Sequence, residues 1–288
     1  MRKRSGPSSS TPLASILFSL VLLWPVPCLA AETPGGSVAA QFQKAEQLEN
    51  TSQSAEAVKV YQQIITASPG SEDAFKAYRQ LTCTLVSMND LAQARSTVEK
   101  MLSEFARHAR LPHAVHEVVE TCARASKAGT IGQVYQEVLA SGQAGSQAIW
   151  LQMGMALAQV YLKDQKAAEA AVQRLVTEYA ADSRVAEAVN QVAWGYRRLK
   201  EEDKARILYR YVATQWPNKD RAVIALRGVA LCSLALNDQA GAEAALALVN
   251  RKRIGAVGVF DKVVRPVAIG VGQVSRDVRV DRARAEMC

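Results

Sequence analysis

Histidine and the aromatics are scarce in this chain: three His and an aromatic share of 6% in 288 residues, against 49% hydrophobic residues. The apolar content therefore comes from Ala, Leu and Val, side chains small enough for close helix-to-helix packing. Catalytic signatures are missing too. No nucleophile elbow, phosphate loop, dinucleotide fingerprint, zinc spacing or carboxylate pair at a motif position occurs, which argues against an enzyme and against a cofactor. The five cysteines, Cys28, Cys83, Cys122, Cys232 and Cys288, fit no metal or redox spacing. Cys83 and Cys122 fall at different positions of the period described below, so their faces are expected to differ. Small buried residues are the simpler reading of both and of Cys232.

A net charge of +8 points toward nucleic acid until it is partitioned along the chain. Residues 1–30 hold Arg2, Lys3 and Arg4 without an acid, and residues 251–288 hold nine basic residues against four acidic ones, leaving 23 of each sign between 31 and 250. The body is neutral, so no nucleic-acid partner is implied.

The N-terminus has the pattern of an export signal: the basic cluster, an apolar run from Leu13 to Val26, and a small-residue exit with cleavage expected after Ala30. A retained anchor is the alternative, but the run is short for a span of about 20 residues, and Pro25 and Pro27 break its end. Cys28 raises acylation as a second alternative, although Pro25-Val26-Pro27 does not match a lipobox. Export leaves a disulfide-permissive setting and a mature chain with no membrane span.

Beyond a linker at 31–36, one interval organises the chain. Ala57, Ala94, Ile131, Ala168, Ala205 and Ala242 recur every 37 positions. Tyr61, Val98, Tyr135, Val172, Tyr209 and Leu246 keep the same interval four residues on, and Ile64, Met101, Val138, Leu175, Val212 and Val249 keep it seven residues on. Offsets of four and seven share one helix face. An upstream helix in each unit carries Leu81, Val118, Met155, Val192 and Val229, then a small column at Ala45, Thr82, Val119, Ala156, Ala193 and Ala230. Acids at Asp90, Asp164, Glu201 to Asp203, and Asp238 are expected to cap the second helices. Pro69 and Pro217 lie between units, and Pro112 at a first turn. The units run at about 37–73, 74–110, 111–147, 148–184, 185–221 and 222–250. Tyr61, Tyr135, Tyr209 and Trp216 read as packing within a unit.

The large-small pairs Leu81-Thr82, Val192-Ala193 and Val229-Ala230, the Ala57 column, the aromatics Tyr61, Tyr135 and Tyr209, and Pro69 and Pro217 resemble the tetratricopeptide repeat family. The departures are a 37-residue period instead of about 34, a first-helix aromatic only at Tyr78 and Tyr196, and bulky residues such as Ile64 and Met101 replacing a second alanine. In these it looks similar to the exported, divergent branch, the periplasmic repeat domains of the Tol-Pal coordinator and of outer-membrane assembly lipoproteins. The resemblance implies an all-α, right-handed α-solenoid of about six helix-turn-helix repeats over 37–250. Residues 251–288, basic and rich in Val and Gly, break the period and read as a poorly ordered tail.

The resemblance also implies a concave surface lined by the first helices, holding peptide segments. Carried onto this sequence, that surface comprises Trp150, Met153, Tyr161, Asn190, Trp194, Arg197, Arg198 and Arg227, suited to an apolar peptide bearing acidic groups. His108, His113, His116 and Glu120 form a speculative metal cluster. The expectation is a non-catalytic protein-interaction scaffold of the bacterial cell envelope, periplasmic or otherwise exported, whose partner is another envelope protein or its peptide segment. The alternatives are a structural subunit of an envelope assembly through repeat stacking, and a small-ligand or metal-binding periplasmic protein.

Overall fold

Every 37 residues the backbone turns left-handed at one non-glycine position: Ser52, Asn89, Ser126, Lys163, Lys200 and Asn237, all with φ between 59° and 62°. At each, the residue that follows donates its amide to a carbonyl five positions back, as in Asp90 to Leu85 at 2.9 Å, Lys127 to Cys122 at 2.7 Å and Asp238 to Ser233 at 2.8 Å. That bond, with a left-handed residue before it, ends a helix in a Schellman turn. The residue completing the turn also begins the next helix, so six identical turns make six hairpins.

The computed structural model describes residues 37–217 and 220–254, and among them all regular structure is helical. The hairpins are α1 (Val38–Asn50) with α2 (Ser54–Ala67), α3 (Glu72–Ser87) with α4 (Leu91–Glu104), and α5 (Leu111–Arg124) with α6 (Ala128–Ala140). A short 3-10 turn at Gly145–Gln147 precedes α7 (Ala148–Leu162) with α8 (Gln165–Glu178); α9 (Val185–Arg198) with α10 (Glu202–Gln215), and α11 (Asp220–Ala235) with α12 (Gln239–Ile254), complete the stack. The hairpins follow the 37-residue frame, with α3 starting at Glu72 and α11 at Asp220, each two residues before the expected units at 74 and 222, and α12 running past residue 250 to Ile254. The leader and linker, and positions 255–288 of the tail, lie outside the described residues.

Capping is partly as expected. Asp90 accepts from the Gln93 amide at 3.1 Å, Asp164 from Ala167 at 3.0 Å and Asp238 from Gly241 at 2.8 Å. Glu201 does not cap α10: its carboxylate pairs with Lys204 at 2.8 Å, and Asp203 pairs with Arg206. A longer side chain at that position reaches the surface and leaves the amides behind.

The small column at Ala57, Ala94, Ile131, Ala168, Ala205 and Ala242 is fully buried. The tyrosines of the next column are buried as well: Tyr61 meets Phe42 of its own hairpin at 6.2 Å between ring centroids and Tyr135 donates its hydroxyl to the Val115 carbonyl of its own hairpin at 3.4 Å, while two of the rings also reach the following hairpin. A Cβ at Gly154 would meet the Tyr135 ring at 2.5 Å, and one at Gly228 would meet the Tyr209 ring at 2.6 Å. Each ring thus presses into a bare helix of the following hairpin. Val98 and Val172 stand in the alternate units, where the facing positions are Glu117 and Gln191, and Tyr61 is followed by Gln80 at the same offset, so the ring-on-glycine contact belongs to the third and fifth hairpins. Trp216 is half-buried edge-on against Tyr211, ring centroids 5.8 Å apart.

Candidate interaction surface

From Ala148 to Leu162, α7 has no charged residue. A helix apolar all round needs cover on every side. It gets cover from α6 and α8 on one side and from α5 and α9 on the other, and α5 and α9 also touch each other. First helices two hairpins apart meet only if they line the inside of a tight curve.

The contacts between α5 and α9 are specific. Gln191 Nε2 lies 3.0 Å from His113 Nδ1. The Trp194 ring packs on His116 at 4.5 Å between centroids and edge-on to His113 at 6.0 Å. Arg198 donates Nε to Glu120 at 3.0 Å. In that pair the arginine is 52% exposed and the carboxylate only 12%, so the pair forms the lip of the closure. Beneath it His116 is fully buried, with the Tyr161 hydroxyl 3.3 Å from Nε2 and no partner for Nδ1. Burial pushes its pKa down to about 4, against an opposing pull from the Glu120 charge.

The expected groove is therefore corrected over the fourth hairpin. Trp150 and Met153 belong to the core, and Trp150 lies under the Arg184 guanidinium at 5.6 Å. Asn190 is buried too and donates Nδ2 to the Arg221 carbonyl at 3.1 Å. The physical reason is the curvature: α5 and α9 close over the face that a shallower stack would leave open. Tyr161, Trp194, Arg197 and Arg227 are half-buried and Arg198 exposed, so these five stay at the surface. Arg197 is engaged with Glu202 at 3.3 Å.

Arg124, Tyr161 and Arg198 are successive members of one 37-residue column at the ends of α5, α7 and α9. The phenol senses both guanidinium charges, which oppose the upward push of burial and of Glu120 on its pKa. Arg124 is exposed, and sequence reasoning did not single it out although the period alone places it beside Tyr161.

The speculative metal cluster does not assemble. His108 stands before α5 with Nε2 2.8 Å from Glu72 and its ring 4.2 Å from that of Phe75. His113 and His116 face Gln191 and Tyr161, and Glu120 is held by Arg198. Among the described residues no three His, Cys, Asp or Glu side chains converge as ligands. The separation expected for Cys83 and Cys122 is also corrected: Cys83 Sγ lies 3.9 Å from the Val118 carbonyl, one turn before Cys122, and the neighbouring Cys122 thiol raises the Cys83 pKa. Neighbouring hairpins are offset, so different columns meet across α3 and α5. No described helix is long and apolar enough to cross a membrane.

Solved structures align with this chain at low identity and low TM-score. A tetratricopeptide repeat protein from Parabacteroides merdae ATCC 43184 aligns at 12% identity over 75% of this chain and 79% of its own, with a TM-score of 0.34. PilW, described as a widely conserved type IV pilus biogenesis factor, aligns at 12% identity over 74% of this chain and 92% of its own, with a TM-score of 0.36. BtubC from P. vanneervenii aligns at 13% identity over 78% and 95%, with a TM-score of 0.38. No family model and no curated protein matches the chain. The hairpin geometry itself, six helix pairs among the described residues on one 37-residue frame with a buried small-residue column, makes this an all-α helical-repeat protein.

Proposed function

We propose that this protein is a non-catalytic scaffold of the cell envelope that holds an acidic, partly apolar segment of another protein on the rim formed by Arg124, Tyr161, Trp194, Arg198 and Arg227. The observation that carries this reading is the Arg124–Tyr161–Arg198 column: two arginines flank a half-buried phenol, and only one of them has its charge matched by Glu120. Arginine, tyrosine and tryptophan are the residue types that most often anchor protein interfaces, and Arg binds carboxylates in two-pronged fashion. Arg227, half-buried on α11 at the position equivalent to His116, extends the basic edge into the last hairpin. The envelope setting is supported by the leader pattern at residues 1–30.

The test places a photo-cross-linking amino acid at Tyr161, and separately at Ile207 on the exposed face of α10, in cells of the source organism. A discrete adduct is expected from Tyr161 and not from Ile207, and it disappears when Arg124→Glu and Arg227→Glu are combined. Equal adducts from both positions, or one indifferent to the charge reversals, contradict the rim as the binding surface.

A further inference from the structure

Neither the repeat frame nor the rim accounts for the pairing of Cys83 with Cys122. Cys83 lies on α3 and is half-buried; Cys122 lies on α5 and is buried; both are free thiols. The Cys83 sulfur sits 3.9 Å from the Val118 carbonyl, and Val118 and Cys122 are separated by one turn on the same face of α5. Cys122 thus lies one helical turn from the point where the Cys83 sulfur touches α5, across the packed α3/α5 boundary. Their hydrogen bond, and then burial, push the Cys83 thiol well above its usual range.

We propose that Cys83 and Cys122 form a disulfide with a thiol–disulfide oxidant, stapling the second hairpin to the third. The more accessible Cys83 loses its proton to solvent and attacks one sulfur of the oxidant RS–SR, breaking the S–S bond and releasing RS⁻. Cys122, deprotonated in turn, attacks the Cys83 sulfur of that mixed disulfide and displaces the second RS⁻. The protein loses two protons and two electrons; the oxidant gains both and becomes two RSH. A raised thiol pKa makes the first step slow at neutral pH and faster in alkali. The bond closes a loop of roughly 40 residues, long enough for a large effect on the unfolded chain. It also fixes α5, which carries His113, His116 and Glu120, against α3, so oxidation state sets the footing of the rim. The proposal does not depend on what the rim binds.

The test incubates the full chain with oxidised glutathione at pH 7 and pH 9, then alkylates free thiols and maps peptides by mass spectrometry with and without reductant. A Cys83–Cys122 linked peptide is expected, forming faster at pH 9, with a melting temperature raised by roughly 10 °C and returned by reductant. A Cys232→Ala variant still forms the link. Two outcomes overturn the proposal: Cys83 and Cys122 both fully alkylated after oxidation at pH 9, or either found only as a glutathione adduct or joined to Cys232 or Cys288. The readout on the unmutated chain needs no variant to fold.

Discussion

Arg198 donates Nε to Glu120 at 3.0 Å across 78 positions of sequence, and so ties α9 to α5 over the top of α7. The carboxylate is mostly covered and the guanidinium is not, which leaves one face of the pair available to a ligand while the other holds the stack closed. Arg198→Glu sets two carboxylates against each other across that closure. It is expected to lower the melting temperature more than Arg198→Ala does, and the exchange Glu120→Arg with Arg198→Glu to recover most of the loss. Thermal unfolding of the four chains checks this; an exchange no better than Arg198→Glu alone means the pair is not formed in solution.

The tyrosine and glycine columns make a second prediction. Gly228→Ala places a methyl 2.6 Å from the Tyr209 ring. Overpacking costs about 1–3 kcal/mol and the better helix propensity of alanine returns about 1 kcal/mol, so a net loss of about 1 kcal/mol is expected. In a Tyr209→Val background, which copies the arrangement of the alternate hairpins, the same substitution becomes neutral or stabilising. Urea unfolding of the four chains reports the reversal of sign.

These two relationships show where sequence reading succeeds and where it stops. The hairpins, the buried Ala57 column, the caps at Asp90, Asp164 and Asp238, and the site of Pro112 follow from periods of four, seven and 37 residues, which are local geometry. The approach of α5 to α9 does not, because it depends on how small rotations accumulate over two hairpins. The sequence alone therefore places Trp150 and Met153 in an open groove. One signal pointed to burial: fifteen residues of α7 without a charge. The meeting of Cys83 with Cys122 was hidden for a related reason, since the offset between hairpins brings different columns together.

His116 gives the fold a pH dependence. Its folded pKa of about 4 lies below the ordinary 6.5, so the unfolded chain binds the proton first as pH falls. Above pH 6.5 both states are neutral and stability is complete; between pH 6.5 and 4 it declines, by up to about 3 kcal/mol from this residue. A His116→Gln variant, which cannot titrate, should lose less between pH 7 and pH 4.5 than the parent, whatever its stability at pH 7. Parallel curves for the two chains contradict the buried, neutral imidazole.

The left-handed turns are a reserve of stability. Lys200 holds φ at 60° without the freedom of glycine, so Lys200→Gly is expected to stabilise by about 0.5–1 kcal/mol. Arg210→Gly, at an exposed position within α10, should cost about 1 kcal/mol. Chemical denaturation of the pair separates the turn's backbone from a general effect of glycine.

The closure over α7 decides which side chains a partner can reach, and hydroxyl-radical footprinting of the native chain measures it directly. Trp150 and Met153 are expected to be protected while Trp194 and Tyr161 are modified, with Met88, an exposed methionine capping the end of α3, as the internal reference for reactivity. Modification of Met153 at a rate matching Met88, together with labelling of Trp150, would mean that α5 and α9 stand apart in solution and that the groove is open.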